Sequence, residues 1–398
     1  MFDSAILGQV ALGYSTFIDR ERRVDATRLT VVPLRPGVRL DAAQLLAVVR
    51  SVWPEACGRV SLDVVSESLL QDLLDAQPAK NLMIEVPSFM ATDEANAEAI
   101  RTLHANGSTL LIKGRPIREV PRDVLPCFSY SIIDRADDRR VNSGPPPVGV
   151  KRSIAFVQSG VRSRDDMEES FSRGAAAVLG WPIDDVIGAD PEAASSTLPD
   201  SAVLAELVAR IDADAGIDRL ETVLRCDPAL AYRLMRHVEA QSAGLQLERA
   251  SLRQSIMMMG FGRLRHWLGA LKAEARSDAA VHPLVFAAVR RGLMMEALGD
   301  DSDDETREEM ALCGMFSLLD RMFQQPFDSL FESVSLPERV YQALVERQGP
   351  YFRYLDVLHA VESGSLESFR AAAEQSMLGV AEINRALLHA LVVAARAP

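Results

Sequence analysis

The chain has 398 residues, which is enough for two domains of ordinary size. Hydrophobic residues make up 48% of it and charged residues 25%, as in globular proteins, and no apolar run reaches the roughly 20 residues of a membrane helix. Acidic residues outnumber basic ones and give a formal net charge of −13, whereas nucleic-acid-binding surfaces are usually basic. We therefore expect neither a nucleic-acid partner nor a membrane partner.

The cysteines and the first residues bear on location and cofactors. The cysteines are far apart and form no CxxC pair, which argues against a zinc knuckle or a redox motif. They are Cys57, Cys127, Cys226 and Cys313. The first residues lack the basic stretch and apolar run of a secretory signal. We expect a cytoplasmic protein with reduced thiols and no cofactor.

The first half of the chain alternates between short apolar, β-branched runs and segments with helical spacing. Strands are predicted over 28–33, 59–65, 81–86, 109–113, 128–133 and 153–157. Helices are predicted over 41–52, 67–74, 92–104 (with Thr92 as the N-cap) and 164–179. This alternation predicts a parallel sheet, either open or closed into a barrel.

The second half begins after a segment without apolar periodicity. Residues 187–200 are rich in Ala, Ser, Asp and Pro and are predicted to be a linker. Beyond residue 201 the strand signals disappear, and Asp227 followed by Pro228 is typical of a helix start. Helices are predicted over 203–211, 220–224, 228–238, 252–259, 263–275, 283–298, 305–323, 337–346, 351–363, 366–376 and 379–395.

The acidic segment 300–309 admits two interpretations. It is predicted to be a solvated loop that runs into a helix start, where acidic residues are favourable. A metal site is the alternative, although the segment lacks the glycine and the ligand spacing of an EF-hand.

The predicted domains are an α/β domain over 1–186, the linker over 187–200 and an all-α domain over 201–398.

Several segments of the first half resemble EAL–HDOD bacterial signalling proteins of the YuxH-like group. The stretch from Phe17 to Val24 resembles their opening hairpin, and an ungapped alignment places Arg28 where the motif glutamate stands. Residues 61–65 and 83–86 match two strands that carry metal ligands, with Asp63 as the nearest equivalent of an asparagine and Glu85 retained. The resemblance implies a degenerate EAL-like (β/α) barrel in the first half.

Two further segments extend this resemblance along the barrel. Residues 104–115 match the segment that ends in a paired Asp-Asp in the family, where this chain has Lys113 and Gly114. Residues 129–134 match the strand that offers Lys-x-Asp, of which Asp134 remains and the lysine is missing.

The second half resembles the HDOD helical domain more closely. Residues 225–235 match its Asp-Pro-x-Leu helix start, and residues 252–268 match its Ala-Ile-x-x-Leu-Gly stretch. Residues 313–320 and 334–338 match its C-terminal signature. Related phosphohydrolases use a His-Asp doublet, but none of the six histidines in this chain is followed by Asp.

The resemblance implies a vestigial pocket made of Arg28, Asp63, Glu85, Lys113 and Asp134. Metal-assisted hydrolysis needs several carboxylates around divalent cations, and two basic side chains would repel such cations. We therefore expect no catalytic residue, no bound metal and no enzymatic activity. Two roles for the basic side chains stay open: they bind phosphate without hydrolysing it, or they fill the pocket and pair with Glu85.

The expected function is regulatory and non-catalytic. The chain would act through protein partners in a pathway related to cyclic di-GMP, stress or virulence. The first alternative is a receptor that binds cyclic di-GMP without hydrolysis, and the second is a weak residual phosphodiesterase.

Overall fold

A computed structural model describes residues 4–54, 58–76, 78–138, 154–185, 187, 199–241, 251–274, 281–300 and 302–395. Its contacts divide the chain into two compact units. The barrel unit comprises residues 1–185 and 359–388, and the helical unit comprises residues 186–358 and 389–398. Each unit is described by itself.

The barrel unit is built on a closed barrel of eight strands in sequential order. The strands are β1 (Val10–Asp19), β2 (Val24–Pro33), β3 (Arg59–Val64), β4 (Leu82–Pro87), β5 (Thr109–Lys113), β6 (Phe128–Asp134), β7 (Ala155–Val161) and β8 (Ala177–Gly180). β1 runs antiparallel to both of its neighbours, and the other adjacent pairs are parallel. The predicted fold class, an α/β barrel followed by a helical region, is therefore confirmed.

Among the described residues, five α-helices connect the strands of this barrel. They are α1 (Ala42–Val52), α2 (Glu67–Leu74), α3 (Ser88–Ala91), α4 (Ala97–Ala105) and α5 (Arg164–Ser172). Asp41 caps α1 by accepting hydrogen bonds from two backbone amides, and Ser66 caps α2. Short 3₁₀ helices are also present over Ala5–Gly8, Glu94–Asn96 and Leu125–Cys127.

Two predicted helices of the first half differ from the structure. The helix predicted over 164–179 ends at Ser172, and Ala177–Gly180 is the last barrel strand. Gly174, with φ of 89°, follows the end of the helix and is the signal that marks it. The helix predicted from Thr92 begins only at Ala97, after a 3₁₀ turn capped by Asp93.

The helical unit contains ten complete helices among its described residues. They are α6 (Ser201–Asp212), α7 (Ile217–Leu224), α8 (Pro228–Gln241), α9 (Leu252–Met259), α10 (Phe261–Glu274), α11 (His282–Leu298), α12 (Asp304–Phe316), α13 (Leu319–Phe323), α14 (Phe327–Phe331) and α15 (Glu338–Leu344). The single helix predicted over 305–323 is therefore two helices, α12 and α13, and α14 is a helix that was not predicted from the sequence. Asp227 accepts the Leu230 amide at 2.9 Å, as a cap before Pro228 should.

The acidic segment before α12 adopts the predicted loop and helix start. Asp303 accepts the backbone amide of Thr306 at 2.8 Å, and Asp304 and Glu305 lie in the first turn. The acidic side chains are thus at the end of the helix where the macrodipole favours negative charge.

Three helices complete the chain: α16 (Phe352–Ser363), α17 (Leu366–Ser376) and α18 (Val380–Ala395). Residues 359–388 pack with the barrel. The barrel unit is therefore completed by residues that follow 186–358 of the helical unit in the sequence. The predicted domain limits stay a prediction, and most of the predicted linker 187–200 lies outside the described residues.

Asn384 of α18 fastens this returning segment to the start of the barrel. It is fully buried. Its side-chain oxygen accepts the amide of Leu12 at 3.1 Å, and its amide nitrogen donates to the carbonyls of Leu7 and Val10, both at 2.7 Å. One side chain therefore satisfies three backbone groups at the start of β1 and in the 3₁₀ helix before it.

No single helix among the described residues combines the length and apolarity needed to cross a membrane. One pair, α17 with α18, passes this test jointly on length and composition, but the two are bent by 105° at the break between them.

Candidate functional site

The barrel interior is organised in layers that follow the two-residue alternation of strands. One layer is apolar and takes one residue from each of seven strands. Its members are Phe17, Ala26, Met83, Leu111, Ile132, Val157 and Leu179. Two residues further along, toward their carboxyl ends, five of the parallel strands carry polar side chains. These are Arg28, Glu85, Lys113, Asp134 and Ser159.

Arg28 lies at the centre of the polar layer. Its Nη2 is 2.6 Å from Oε2 of Glu85 and 2.8 Å from Oδ2 of Asp63. β2 and β4 flank β3, so this guanidinium connects three neighbouring strands. The Glu85 side chain is fully buried, and that of Arg28 is only 13% exposed. The ion pair is therefore held in a poorly solvated environment, where Coulomb interactions are strong.

Lys113 approaches the same group from β5. Its Nζ is 2.7 Å from Oδ1 of Asp63. Asp63 thus binds one basic side chain through each of its two oxygens. These four residues form what we call the ion cluster: Arg28, Asp63, Glu85 and Lys113. The structure brings these four predicted residues together, with Lys113 on Asp63 and Arg28 on both carboxylates.

Asp134, the fifth predicted residue, has different contacts. Its Oδ2 accepts the Ser159 hydroxyl at 3.1 Å and its Oδ1 accepts the amide of Ala136 at 2.9 Å. Its negative charge contributes to the field at Arg28. Asp134 therefore closes the turn after β6 and acts on the ion cluster only through space.

Burial sets the electrostatics of the ion cluster. It raises the pKa of Glu85, and the charge of Asp63 adds to this, although Arg28 opposes the rise. For Arg28 burial acts to lower the pKa, but attraction to Glu85 and Asp63 raises it overall. The guanidinium therefore stays charged, and Glu85 is the group of this pair for which the net pKa shift disfavours ionisation.

Two serines that sequence reasoning missed support the carboxylates of this layer. The Ser61 hydroxyl donates to Oε1 of Glu85 at 2.9 Å, and Ser159 donates to Asp134. Both stand at inward positions of their strands, two residues from Asp63 and from Val157 respectively. The alternation of each strand is the signal that could have identified them.

The donor set of this site does not fit a divalent cation. No group of three or more His, Cys, Asp or Glu side chains is arranged to hold a metal ion in the part of the chain that the structure describes. Asp63 and Glu85 each already bind a basic side chain. A divalent ion between them would have to displace Arg28 and would be repelled by Lys113.

Exposed apolar side chains follow three neighbouring strands of the barrel. Val65 and Phe89 are each 58% exposed and follow β3 and β4, and Ile117 is 99% exposed in the loop after β5. The strands are parallel and adjacent, so these residues share the edge of the barrel at which the ion cluster lies. We call Val65, Phe89 and Ile117 the rim residues.

Cations accompany the rim residues. Arg115 and Arg118 are exposed in the loop after β5 and have no ion pair with any described residue. The Ser88 hydroxyl donates to the Arg115 carbonyl at 3.1 Å and fixes the start of this loop against the end of β4. The edge therefore combines apolar and positively charged surface.

His237 of the helical unit is a packed side chain. It stacks on Trp267 with 5.3 Å between ring centroids, and its ring nitrogen is 2.8 Å from the side-chain nitrogen of Gln241. These contacts hold the ring in place within the helical unit.

Comparison with known proteins gives two curated relatives, and no family model matches the chain. It is 23% identical over 155 residues to the uncharacterized protein YuxH of Bacillus subtilis, which covers 38% of each chain. It is 25% identical over 173 residues to the cyclic di-GMP phosphodiesterase CdgJ of Vibrio cholerae, which covers 43% of this chain and 40% of the relative. The aligned region spans about two fifths of the length of these relatives. They confirm the resemblance to YuxH-like EAL–HDOD proteins.

Solved structures with some likeness include the MmoQ response regulator of Methylococcus capsulatus. It is 17% identical with a TM-score of 0.39 and covers 48% of this chain and 98% of its own. The EAL domain of Mycobacterium smegmatis DcpA is also 17% identical, with a TM-score of 0.30, and covers 43% of this chain and 90% of its own.

Proposed function

We propose that this chain is a non-catalytic signalling protein that acts through protein contacts in a pathway related to cyclic di-GMP. The name of CdgJ links a relative to cyclic di-GMP, and this is the support for the pathway. The support for a non-catalytic role is a single observation: Arg28 and Lys113 are bound to the two carboxylates that would otherwise face a metal ion.

The chemistry of the ion cluster supports this proposal. Hydrolysis of a phosphodiester with metal ions requires carboxylates free to bind the metal and a water activated by it. In this chain Asp63 and Glu85 are neutralised by its own side chains, and Arg28 is held on both. What the barrel offers a partner is then the surface at its edge rather than a reactive centre.

The rim residues support an action through protein contacts. Large apolar side chains that are mostly exposed at one edge of a fold are typical of interaction sites. Phe89 and Ile117 are the larger two and follow adjacent strands. A contact at this edge would cover the rim residues and leave the ion cluster intact.

The test is affinity capture with the full-length chain from an extract of its native cells. We expect a specific partner to be retained by the wild-type chain and lost with the double variant Phe89→Asp/Ile117→Asp. Met257→Asp is the matched control, because Met257 is 62% exposed and belongs to the helical unit. Equal capture by all three proteins would contradict the proposed role of the edge.

A receptor for cyclic di-GMP is the second candidate, favoured by Arg115 and Arg118. Guanidinium groups without internal ion pairs to the described residues are suitable partners for phosphate oxygens. Calorimetry with cyclic di-GMP distinguishes the candidates. Binding that is lost in Arg115→Glu/Arg118→Glu would favour the receptor, and no heat at high ligand concentration would eliminate it.

A further inference from the structure

The helical unit contains a cavity of about 1040 Å³ that the proposed function does not use. Most of its lining comes from α7, α9, α11 and α12, with Arg210 of α6 and Val393 of α18 added. Ligand-binding pockets usually measure about 300–1,000 Å³, so this cavity is large enough for a small organic molecule. All of its lining residues belong to the helical unit, so the cavity is independent of the barrel.

Two facing helices give the cavity an apolar part. Val289 and Leu293 line it from α11, and Leu312 and Met315 line it from α12. Each pair is separated by three or four positions and therefore lies on one face of its helix. Leu252 at the start of α9 adds to the same apolar lining.

The same helix faces carry acidic residues at one end. Glu296 follows Leu293 by three positions on α11, and Glu308 precedes Leu312 by four on α12. The two glutamates lie near the short connection between these helices, and Glu221 of α7 joins them. The cavity thus has an acidic end and an apolar body.

The arginines at the acidic end are already engaged by carboxylates. Arg225 binds Glu221 at 2.7 Å and Glu296 at 3.1 Å, so one guanidinium is shared by two carboxylates. Arg253 lies 3.7 Å from Glu221 and also pairs with the exposed Asp218. Arg210 and Arg307 also line the cavity and pair with Glu206 and Asp304. Each of these four guanidinium groups is therefore already engaged by a carboxylate.

Glu308 is the carboxylate without a partner. It is half-buried, lines the cavity and has no ion pair with any described residue. Burial raises its pKa, and the charges of Glu221 and Asp304 add to this, while Arg225 and Arg253 act to lower it. A further cation placed beside Glu308 would relieve this repulsion.

We propose that the cavity binds an organic cation with an ammonium or guanidinium head and an aliphatic body. The head lies at Glu308 beside Glu221, and the body lies against Val289, Leu293 and Leu312. An anion of the same shape would be repelled by the carboxylates, and a neutral analogue would leave Glu308 without a counter-charge. The site therefore selects by charge at one end and by apolar contact along its length.

The test is calorimetry of the full-length chain with n-hexylammonium, hexanoate and 1-hexanol in about 0.15 M salt, where exposed charges are screened beyond about 8 Å. We expect saturable binding of the ammonium ion alone. Glu308→Gln should weaken it tenfold or more. Glu332→Gln, which removes one negative charge from an exposed position outside the cavity, should leave it unchanged.

A second variant tests the cavity without a change of charge. Val289→Trp should fill part of the apolar body and abolish binding, with α-helical circular dichroism as the check on folding. No saturable binding, equal binding of hexanoate, or equal weakening by Glu332→Gln would overturn the proposal. If Val289→Trp does not fold, the comparison of Glu308→Gln with Glu332→Gln decides alone.

Discussion

Arg28 on β2 and Glu85 on β4 lie 2.6 Å apart across the inside of the barrel, so their ion pair spans the intervening strand β3. Asp63 on β3 contacts the same guanidinium at 2.8 Å. The two basic and two acidic side chains of the ion cluster therefore balance one another, and several measurements follow from that balance.

The first prediction concerns the stability of the barrel. Arg28→Met leaves buried Glu85 without its counter-charge, which typically costs about 3–5 kcal/mol of unfolding free energy. Urea denaturation in a Trp267→Phe background measures it, because the remaining tryptophans, Trp53 and Trp181, belong to the barrel unit.

Two further variants make this first measurement specific. Arg28→Met/Glu85→Gln should recover much of the lost stability, since both charges are then removed. Arg59→Met, which breaks an ion pair with Asp25 at the surface, should cost less than about 1 kcal/mol. Equal losses in Arg28→Met and Arg59→Met would show that the ion cluster is not a buried unit.

The second prediction concerns pH. The pKa of Glu85 is raised in the folded state, mainly by burial. Between the pKa of Glu85 in the unfolded state and its higher pKa in the folded state, only the folded state retains the proton. The contribution of this carboxyl to stability therefore falls as pH rises through the range between the two pKa values. The stability of the wild type relative to Glu85→Gln should fall as pH rises from about 4, the range of an unfolded glutamate.

Urea denaturation of both proteins between about pH 4 and about pH 7 measures this dependence. The difference should become constant above the folded-state pKa. A difference that grows as pH rises would mean that Arg28 outweighs burial and holds Glu85 ionised.

The third prediction concerns metal binding. Arg28→Glu/Lys113→Asp replaces both basic members of the ion cluster by acidic residues beside Asp63 and Glu85. We expect Mn²⁺ to stabilise this variant by about 2.7 kcal/mol at 100 times its Kd, and not to stabilise the wild type. Thermal unfolding with and without Mn²⁺ is the measurement.

Arg28→Met/Lys113→Met is the matched control for metal binding, because it removes the basic groups without adding ligands. It should respond to Mn²⁺ much less than the acidic variant. Stabilisation of the wild type by Mn²⁺ that disappears in Glu85→Gln would contradict a charge balance that excludes metal from the ion cluster.

The fourth prediction concerns hydrolysis. With Arg28 and Lys113 on the carboxylates, the wild type should release no linear product from cyclic di-GMP in the presence of Mg²⁺ or Mn²⁺. A chromatographic product assay against Glu85→Gln decides this. Turnover by the wild type that the variant lacks would establish a phosphodiesterase.

The fifth prediction concerns the returning helix α18. Asn384→Ala leaves the buried backbone groups of Leu7, Val10 and Leu12 without their partners. Each unsatisfied buried group costs about 1–3 kcal/mol, so the barrel unit should lose several kcal/mol. Ser376→Ala, another buried polar residue of the same segment that bonds only within its own helix, should cost less.

Six of the eight strands, β2 to β7, could be predicted from sequence alone, whereas β1 and β8 were not among the predicted strands. β4 and β5 are short, mostly apolar runs, and β3 alternates between apolar and polar residues. The family resemblance identified Arg28, Glu85 and Lys113. β8 could not be recognised, because four apolar residues after a capped helix fit either period. The pairing of Lys113 with Asp63 could not be predicted either, because it depends on the register between the barrel strands.

The return of residues 359–388 to the barrel also had no signal in the sequence. Helical periodicity predicts that α17 and α18 bury one face, but it does not say against which element. The contacts of Asn384 join positions more than 370 residues apart. Such a pairing requires knowledge of the tertiary fold.

That closure by late residues has a consequence for biosynthesis. The barrel strands leave the ribosome long before the helices that complete their unit. At about 5–20 residues per second, the roughly 200 residues between Asp185 and Leu388 take roughly 10–40 s to translate. Until then the apolar surface later covered by α17 and α18 is open to chaperones. A premature stop codon between residues 186 and 358 would therefore yield all eight strands without the two helices that complete the barrel unit.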